Sequence, residues 1–552
     1  MSRVPSFIAS RYLPRYSQTH LRLLLLLAAP LLFGALAVLL GRESSWDLQN
    51  YHWYNAYALL HQRLGFDIAV AHHATYYNPL PDLPFYWVAT HAQAWLAGAF
   101  LGAQFGVAVA LIGAIAYQYL AGSPTLIRNV HWRMCAAAFI AVAGAVGGGA
   151  FPALGSTSND VSTAIGIFIA LWLLTWQFAE LRSATLKLQL ITTLLCAGIC
   201  AGMSVGLKLT TAAYALGLLA ASAWVPATWR KRGQCVLLLS IGMLLGFVVC
   251  AGPWLWRMWE YGRNPLFPYF NQLFHSPLLI DGSYRDTTYA VSGWRDQLLF
   301  PYLFTMDSYR VAEWHFRDAR ILAAYVLVPL SLLVYLLRKL RNRTATLPPL
   351  TAFLFCFAAV SYAVWLLIFG IYRYLIPLEM LAPLLIAMAI ALWPMTSTIR
   401  TAIAVGLLLS LQAVVRMDIK RLDWGNSYVS VQLPSLPDPE HSMILMAGNA
   451  PMAFVIPSFP SSIPFLRIDG WLVWKDDLAS GLSRQMHARV AAHSGPLLML
   501  FADYEQSRAA ESALAYGLKL VEKSCMPVRS NLTDPLQLCP LQRQAAASRP
   551  GS

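Results

Sequence analysis

Charge is what this sequence has least of. Only 12% of its 552 residues are Asp, Glu, Lys or Arg, about half of the ~25% usual in soluble domains. So little charge cannot cover the surface of an ordinary soluble protein of this length. Other absences narrow the chemistry. There is no P-loop and no dinucleotide fingerprint, which argues against a soluble nucleotide as substrate or cofactor. No repeat of fixed period is visible, so a solenoid is not expected. No two halves resemble each other, which weakens a transporter built on inverted repeats. Six of the eight cysteines (Cys135, Cys196, Cys200, Cys235, Cys250, Cys356) lie in or beside apolar runs without metal-ligand spacing. No metal site and no cofactor are therefore expected. No small-residue cleavage site follows the first apolar run, residues 21–40, so that run is expected to be a retained helix.

What fills the chain is apolar sequence. Hydrophobic residues make up 58% and the mean hydropathy is +0.52. They come in blocks of roughly 17 to 25, the length that spans a hydrocarbon core as a helix. The net charge of +14 is read as orienting these helices, not as a footprint for nucleic acid. The basic clusters are Arg3, Arg11, Arg15 and Arg22, then Arg128 with Arg133, Arg182 with Lys187, "WRKR" at 229–232, "RKLRNR" at 338–343, and Arg400. Placing all of them in the cytoplasm yields about eleven transmembrane helices. They fall near 21–40, 98–119, 134–152, 163–180, 189–206, 209–226, 235–256, 320–337, 350–369, 374–394 and 401–416. Residues 80–95 are expected to form an amphipathic helix on the outer surface. Two spans between 84 and 120 would instead put Arg128 and Arg133 outside.

The expected fold is thus a polytopic α-helical membrane domain, 1–416, with outer loops 41–97 and 257–319, followed by a small α/β domain, 417–552. In a bacterial inner membrane the N-terminus would be cytoplasmic and the C-terminal domain periplasmic. The tail carries short apolar runs, "SMILMA", "GPLLMLFAD" and "GLKLVEK", with a helix-like "YEQSRAAESALAYG" among them. Strands alternating with helical stretches suggest the α/β class. An oxidising compartment would allow a disulfide between Cys525 and Cys539.

On the outer side several unusual groups gather. "SSWDLQNYHWYNAYALL" (44–60) sets Asp47 among aromatic and amide residues, with Asn50 and His52 close behind. An interfacial aromatic belt explains the rings but explains the acid poorly. "YYNPL" adds Tyr77 and Asn78. "FGIYRYLIPLEML" sets Arg373 at a helix end and Glu379 deeper. Charges at that depth are costly, and the arginine either pairs with Glu379 or holds a phosphate. Lys208, in a hairpin between two helices, breaks the positive-inside pattern and calls for an anionic partner, or snorkels to the interface. Asp160 in "GSTSND" is either a helix cap or part of the same group.

Together "WDLQNYHWY", "YYNPL" and "YRYLIP", in this order and on one side, resemble the GT-C class of membrane glycosyltransferases, more closely the bacterial polyprenyl-phosphate-mannose-dependent mannosyltransferases. The resemblance covers roughly residues 20–415. It implies inverting transfer of a sugar from a polyprenyl-phosphate donor to a lipid or cell-envelope acceptor. It gives Asp47 the catalytic acid's position and Arg373 that of the lipid-phosphate arginine. Lys208, whose place on the outer side calls for an anion, is a second candidate for the donor phosphate. Asn50, His52, Tyr77, Asn78, Asp160 and Glu379 are the candidate substrate contacts. Two features depart from the family: the acid nearest Asp47 is Glu43, and "YNP" stands where relatives often carry tyrosine and two prolines. The competing class is a lipid-linked sugar flippase or another multi-helix transporter. It would place ionisable groups within several helices along a midplane path.

Overall fold

Leucine-rich blocks with few charges fold as helices long enough for a bilayer, at about 1.5 Å per residue. The computed structural model describes residues 15–122, 127, 129–183, 185–341 and 346–544. Among them six helices are long and apolar enough to cross a membrane: Ala94–Gly122, Leu188–Leu207, Trp229–Gly262, Arg320–Arg341, Pro349–Ile368 and Tyr372–Ala391. Five shorter apolar helices accompany them: Leu27–Leu40, Val130–Ala145, Asp160–Trp176, Leu209–Ala223 and Ser397–Ala413. Each of the eleven overlies one of the expected segments. The doubtful stretch 84–120 holds one long helix, Ala94–Gly122. The short helix before it, Leu83–His91, buries Phe85, Tyr86 and Ala89 and leaves Trp87 exposed. These helices suggest a membrane-embedded protein.

Small residues let the helices approach closely, as is common where lipid offers no hydrophobic drive for association. A Cβ added at Gly202 would lie 1.9 Å from the Met243 carbonyl oxygen. The helices Leu188–Leu207 and Trp229–Gly262 can therefore pack backbone to backbone only because glycine stands there.

The described basic clusters gather at one end of the bundle. There Lys231 donates to the Thr185 carbonyl, Arg338 to that of Leu392 and Arg400 to that of Ala391. Arg338 and Arg400 cap carbonyls at the C-terminal end of the helix that closes at Ala391, where a cation meets the favourable end of the helix dipole, while Lys231 ties down the loop before Leu188–Leu207. Arg3, Arg11, Arg128 and Arg343 lie outside the described residues, as do the side chains of Arg15 and Arg22.

The opposite end carries the tail. Its strands are Val431–Gln432, Met443–Ala447, Phe465–Asp469, Leu497–Ala502, Leu518–Leu520, Met526–Ser530 and Leu536–Arg543. Met443–Ala447 lies between Phe465–Asp469 and Leu497–Ala502, and all three run parallel. Every residue of these three strands is buried, which matches the uninterrupted apolar runs of Met443–Ala447 and Leu497–Ala502. The remaining strands pair antiparallel, with Leu536–Arg543 beside Leu497–Ala502. Helices Gly481–Ala492 and Gln506–Ala515 complete the unit. The strand Phe465–Asp469, the helix Gly481–Ala492 and the two C-terminal strands carried no recognised sequence signal. Cys525 and Cys539 are joined by a disulfide. It extends the pairing of Met526 with Leu538 by one residue on each strand.

The tail and the first loop share one core. Trp53, Tyr54, Phe85, Tyr428, Phe454 and Phe465 pack in a single cluster. Ile68 donates to the Phe465 carbonyl at 3.0 Å and accepts from the Arg467 amide at 3.0 Å. A piece of the first loop thereby joins the edge of the sheet. Buried Arg467 adds hydrogen bonds to the carbonyls of Val70 (2.9 Å) and Gly448 (2.7 Å).

Candidate functional site

Leaving the first helix, Arg42 donates to the carbonyls of Tyr428 and, at 2.6 Å, Asn531 in the tail. Glu43 is buried and accepts from the Thr157 amide at 2.5 Å and the Ser156 hydroxyl at 3.0 Å. Its carboxylate is therefore a brace for the turn 153–159. Asp47 stands next, at the start of a π-helical turn, Leu48–His52, that runs into the helix Trp53–Leu60. Such turns are rare and recur at functional sites.

Arg373 reaches Asp47 from the other side. Its Nη1 lies 2.5 Å from Asp47 Oδ2, although 326 residues separate the two. Beside them Lys208 Nζ lies 2.5 Å from Asp160 Oδ1 and donates to the Ser158 carbonyl at 2.7 Å. Tyr374 links the two pairs. Its ring centre is 5.3 Å from the Arg373 guanidinium carbon and 5.5 Å from Lys208 Nζ. Two cations, two carboxylates and one aromatic ring thus converge at the helix ends. Burial works to raise the Asp47 carboxyl, but the charge of Arg373, with those of His52 and Lys208, outweighs it. The net result holds Asp47 below the ordinary aspartate value of 3.8.

Behind Asp47 the buried His52 pairs with Asp82, Nδ1 to Oδ1, at 2.7 Å. Asn159 donates to the same Asp82 oxygen at 2.6 Å. Asp82 was missed by the sequence reading, although it lies in the aromatic stretch that follows "YYNPL". Its signal was the one that singled out Asp47: an acid among aromatic residues. Tyr77 hydrogen-bonds through its hydroxyl to Tyr269 at 2.5 Å. Burial raises the Tyr77 phenol, so it remains a neutral donor or acceptor.

Other candidates stand apart from this group or are tied to main chain. Asn78 donates to the carbonyls of Gly206 and Cys250, at 2.9 and 3.0 Å, tying the loop to the helices Leu188–Leu207 and Trp229–Gly262. Asn50 donates to the Ala71 carbonyl at 3.2 Å. Glu379, offered as a partner for Arg373, lies elsewhere. Its carboxylate accepts from the Gly149 amide at 3.2 Å, and a Cβ on Gly147 would fall 1.6 Å from its Oε1. In "AVGGGAFP" Gly147 and Gly149 stand against this buried carboxylate and Gly148 against Phe316 and Asp318, which leaves little room for side chains. Arg320 and Asp318 close the same corner. Arg320 donates to the carbonyls of Ala143 and Val146, and Asp318 accepts from Gly148 at 2.8 Å.

The tail also reaches the first loop. Trp471 stacks on Trp46, ring centres 5.1 Å apart, and packs on His72 at 5.0 Å. Burial, then the Arg467 charge, keeps His72 well below its ordinary value. Its neutral Nδ1 accepts from the Trp471 amide at 3.2 Å. A separate cleft is lined by residues including Arg63, Asp67, Trp254 and Arg257; neither Asp47 nor Arg373 lines it. Among the described residues no three His, Cys, Asp or Glu side chains stand together as a metal site.

This arrangement brings two cations and two carboxylates together around the ring of Tyr374. Comparison with known proteins finds no matching family model, no matching curated protein and no matching solved structure.

Proposed function

We propose that the chain is an inverting membrane glycosyltransferase. It would move a sugar from a polyprenyl-phosphate donor to a lipid or cell-envelope acceptor. The observation that carries this reading is the meeting of Asp47 with Arg373, beside Lys208, at the end of the bundle away from the basic clusters. In this reading all eleven apolar helices cross the bacterial inner membrane. The basic end is cytoplasmic, and the site and the tail are periplasmic.

The reaction follows from those groups. The acceptor's hydroxyl oxygen attacks the anomeric carbon as the bond from that carbon to the phosphate oxygen breaks. The bonding pair leaves with polyprenyl phosphate, and one displacement inverts the centre. Asp47 takes the hydroxyl proton as general base. Arg373 and Lys208 stabilise the charge that develops on the departing phosphate; with two cations there, no metal is required. His52, Tyr77 and Asp160 line the substrates, while Asn50 and Asn78 hold the loop in place.

The competing reading, a lipid-linked sugar flippase, draws on the buried Glu379, Asp318 and Arg320. Those groups are knit into main-chain hydrogen bonds at one corner and do not line a path through several helices. Reconstitution with radiolabelled polyprenyl-phosphate sugars and an envelope lipid extract tests the proposal. Label should pass to an acceptor in the presence of wild-type protein. Movement of intact donor between leaflets without transfer would replace it by the flippase. Alkaline phosphatase fused after residue 544 should be active; an inactive fusion would overturn the topology.

A further inference from the structure

Arg63 and Arg373 both pair with an aspartate, but in different ways. Arg63 binds Asp67 through two parallel contacts, Nε to Oδ2 and Nη2 to Oδ1, both 2.7 Å, with side chains 3% and 0% exposed. That fork-to-fork geometry satisfies both groups. Arg373 meets Asp47 through Nη1 alone, with side chains 27% and 13% exposed. Its Nε is buried without a hydrogen-bond partner, and its Nη2 reaches only the Tyr374 hydroxyl at 3.5 Å. Across the same ring, Asp160 holds Lys208 by one oxygen, and its Oδ2 is buried and unpartnered. A buried donor left without a partner costs free energy. A planar guanidinium with an unused edge is suited to a tetrahedral oxyanion.

Two cations that flank one ring, each held by a single carboxylate contact, carry no net charge together with those carboxylates. We infer that Arg373, Lys208 and Tyr374 form one phosphate-group site closed by the chain's own carboxylates, and that a bound phosphate displaces Asp47 and Asp160 from the cations. The inference rests on the glycosyltransferase reading and deepens it. In the closed state Asp47 is engaged by Arg373. Once phosphate takes Arg373, Asp47 is freed beside the anomeric carbon. Proton acceptance is thereby coupled to the presence of donor.

The sign of one substitution separates this from a structural ion pair. If the carboxylates compete with the ligand, apparent affinity is reduced by the fraction of protein in the closed state. Removing a competitor should then tighten binding. The full-length protein in detergent micelles is titrated with farnesyl phosphate and, separately, with inorganic phosphate. Asp47→Asn and Asp160→Asn should each bind farnesyl phosphate roughly 3- to 10-fold more tightly than wild type, and Arg373→Lys more weakly. Preference for farnesyl phosphate over inorganic phosphate assigns the site to a lipid-borne group; the reverse assigns it to a free phosphate, and the exchange stands in both cases. Unchanged or weakened binding in both Asn variants, with wild type binding well, overturns the exchange and leaves the functional reading intact. Failure of wild type to bind either probe sinks the functional reading and the exchange with it.

Discussion

Arg63 grips Asp67 with two contacts of 2.7 Å, and both residues also hold the tail. Arg63 donates to the carbonyls of Ser461 and Ile463 at 2.6 and 2.7 Å, and Asp67 accepts from the Phe465 amide at 2.9 Å. The pair is a buried joint between the first loop and the sheet. Removing one member strands the other charge without solvent, which typically costs about 3–5 kcal/mol. Asp67→Ala should therefore lower the melting temperature and open the 448–463 region to limited proteolysis. Unchanged protection would mean that the shared aromatic core holds the tail alone.

On the proposed glycosyltransferase reading, Asp47→Asn keeps shape and hydrogen bonding but removes the base. General base catalysis is worth about 10² to 10⁴-fold, so sugar transfer should fall by that order in protein that inserts normally. Arg373→Lys keeps the charge and loses the planar fork. Its turnover should fall together with donor binding. Near wild-type transfer by Asp47→Asn would move the base to another group.

The Asp47–Arg373 pair has a pH signature. Because the carboxyl is held below 3.8 in the folded protein, its contribution to stability is complete above that value. It is lost as pH falls through the lower, folded value. The melting-temperature gap between wild type and Asp47→Asn should be constant through neutral and mildly acid pH and close only in stronger acid. A gap that closes near neutrality would contradict the pairing.

Gly147→Ala tests the corner built on Glu379. The added Cβ would meet Glu379 Oε1 at 1.6 Å, and overpacking of this kind costs about 1–3 kcal/mol. Gly233, whose added Cβ would meet nothing within 4 Å, is the control. Gly233→Ala lies in the helix Trp229–Gly262 and should be neutral or slightly stabilising. Equal melting temperatures for the two variants would argue against the tight corner.

The bond between Cys525 and Cys539 closes a loop with a sequence separation of 14. Cross-links of that span contribute roughly 3 kcal/mol through the unfolded chain. Replacing both cysteines with serine should destabilise the tail by about that order, and non-reducing peptide mapping of wild type should recover the linked pair. Two freely alkylated thiols would refute it.

The helices were legible because apolar block length is a local property. A run of about 20 apolar residues must satisfy its own backbone in lipid, whatever surrounds it. The buried parallel strands Met443–Ala447 and Leu497–Ala502 were legible for a related reason: both faces are covered, so the runs are uninterrupted. Phe465–Asp469 was not, because "FLRID" mixes apolar and charged residues. Its Arg467 is tolerated only through carbonyls that the folded chain supplies.

Pairing was not legible. Arg373 had Glu379 nearby in sequence, yet its partner came from 326 residues away. Glu379 instead sits against glycines at 147 and 149. Asn78 read as a substrate contact, and its bonds to the carbonyls of Gly206 and Cys250 on two helices were not visible in the sequence. Asp82 acquired a role only when the fold set it against His52. Composition and block length decided that this chain forms long apolar helices and a small sheet, because burying apolar surface does not depend on which partner covers it. Tertiary packing alone decided which carboxylate meets which cation, because a hydrogen bond depends on a few tenths of an ångström that no local pattern encodes.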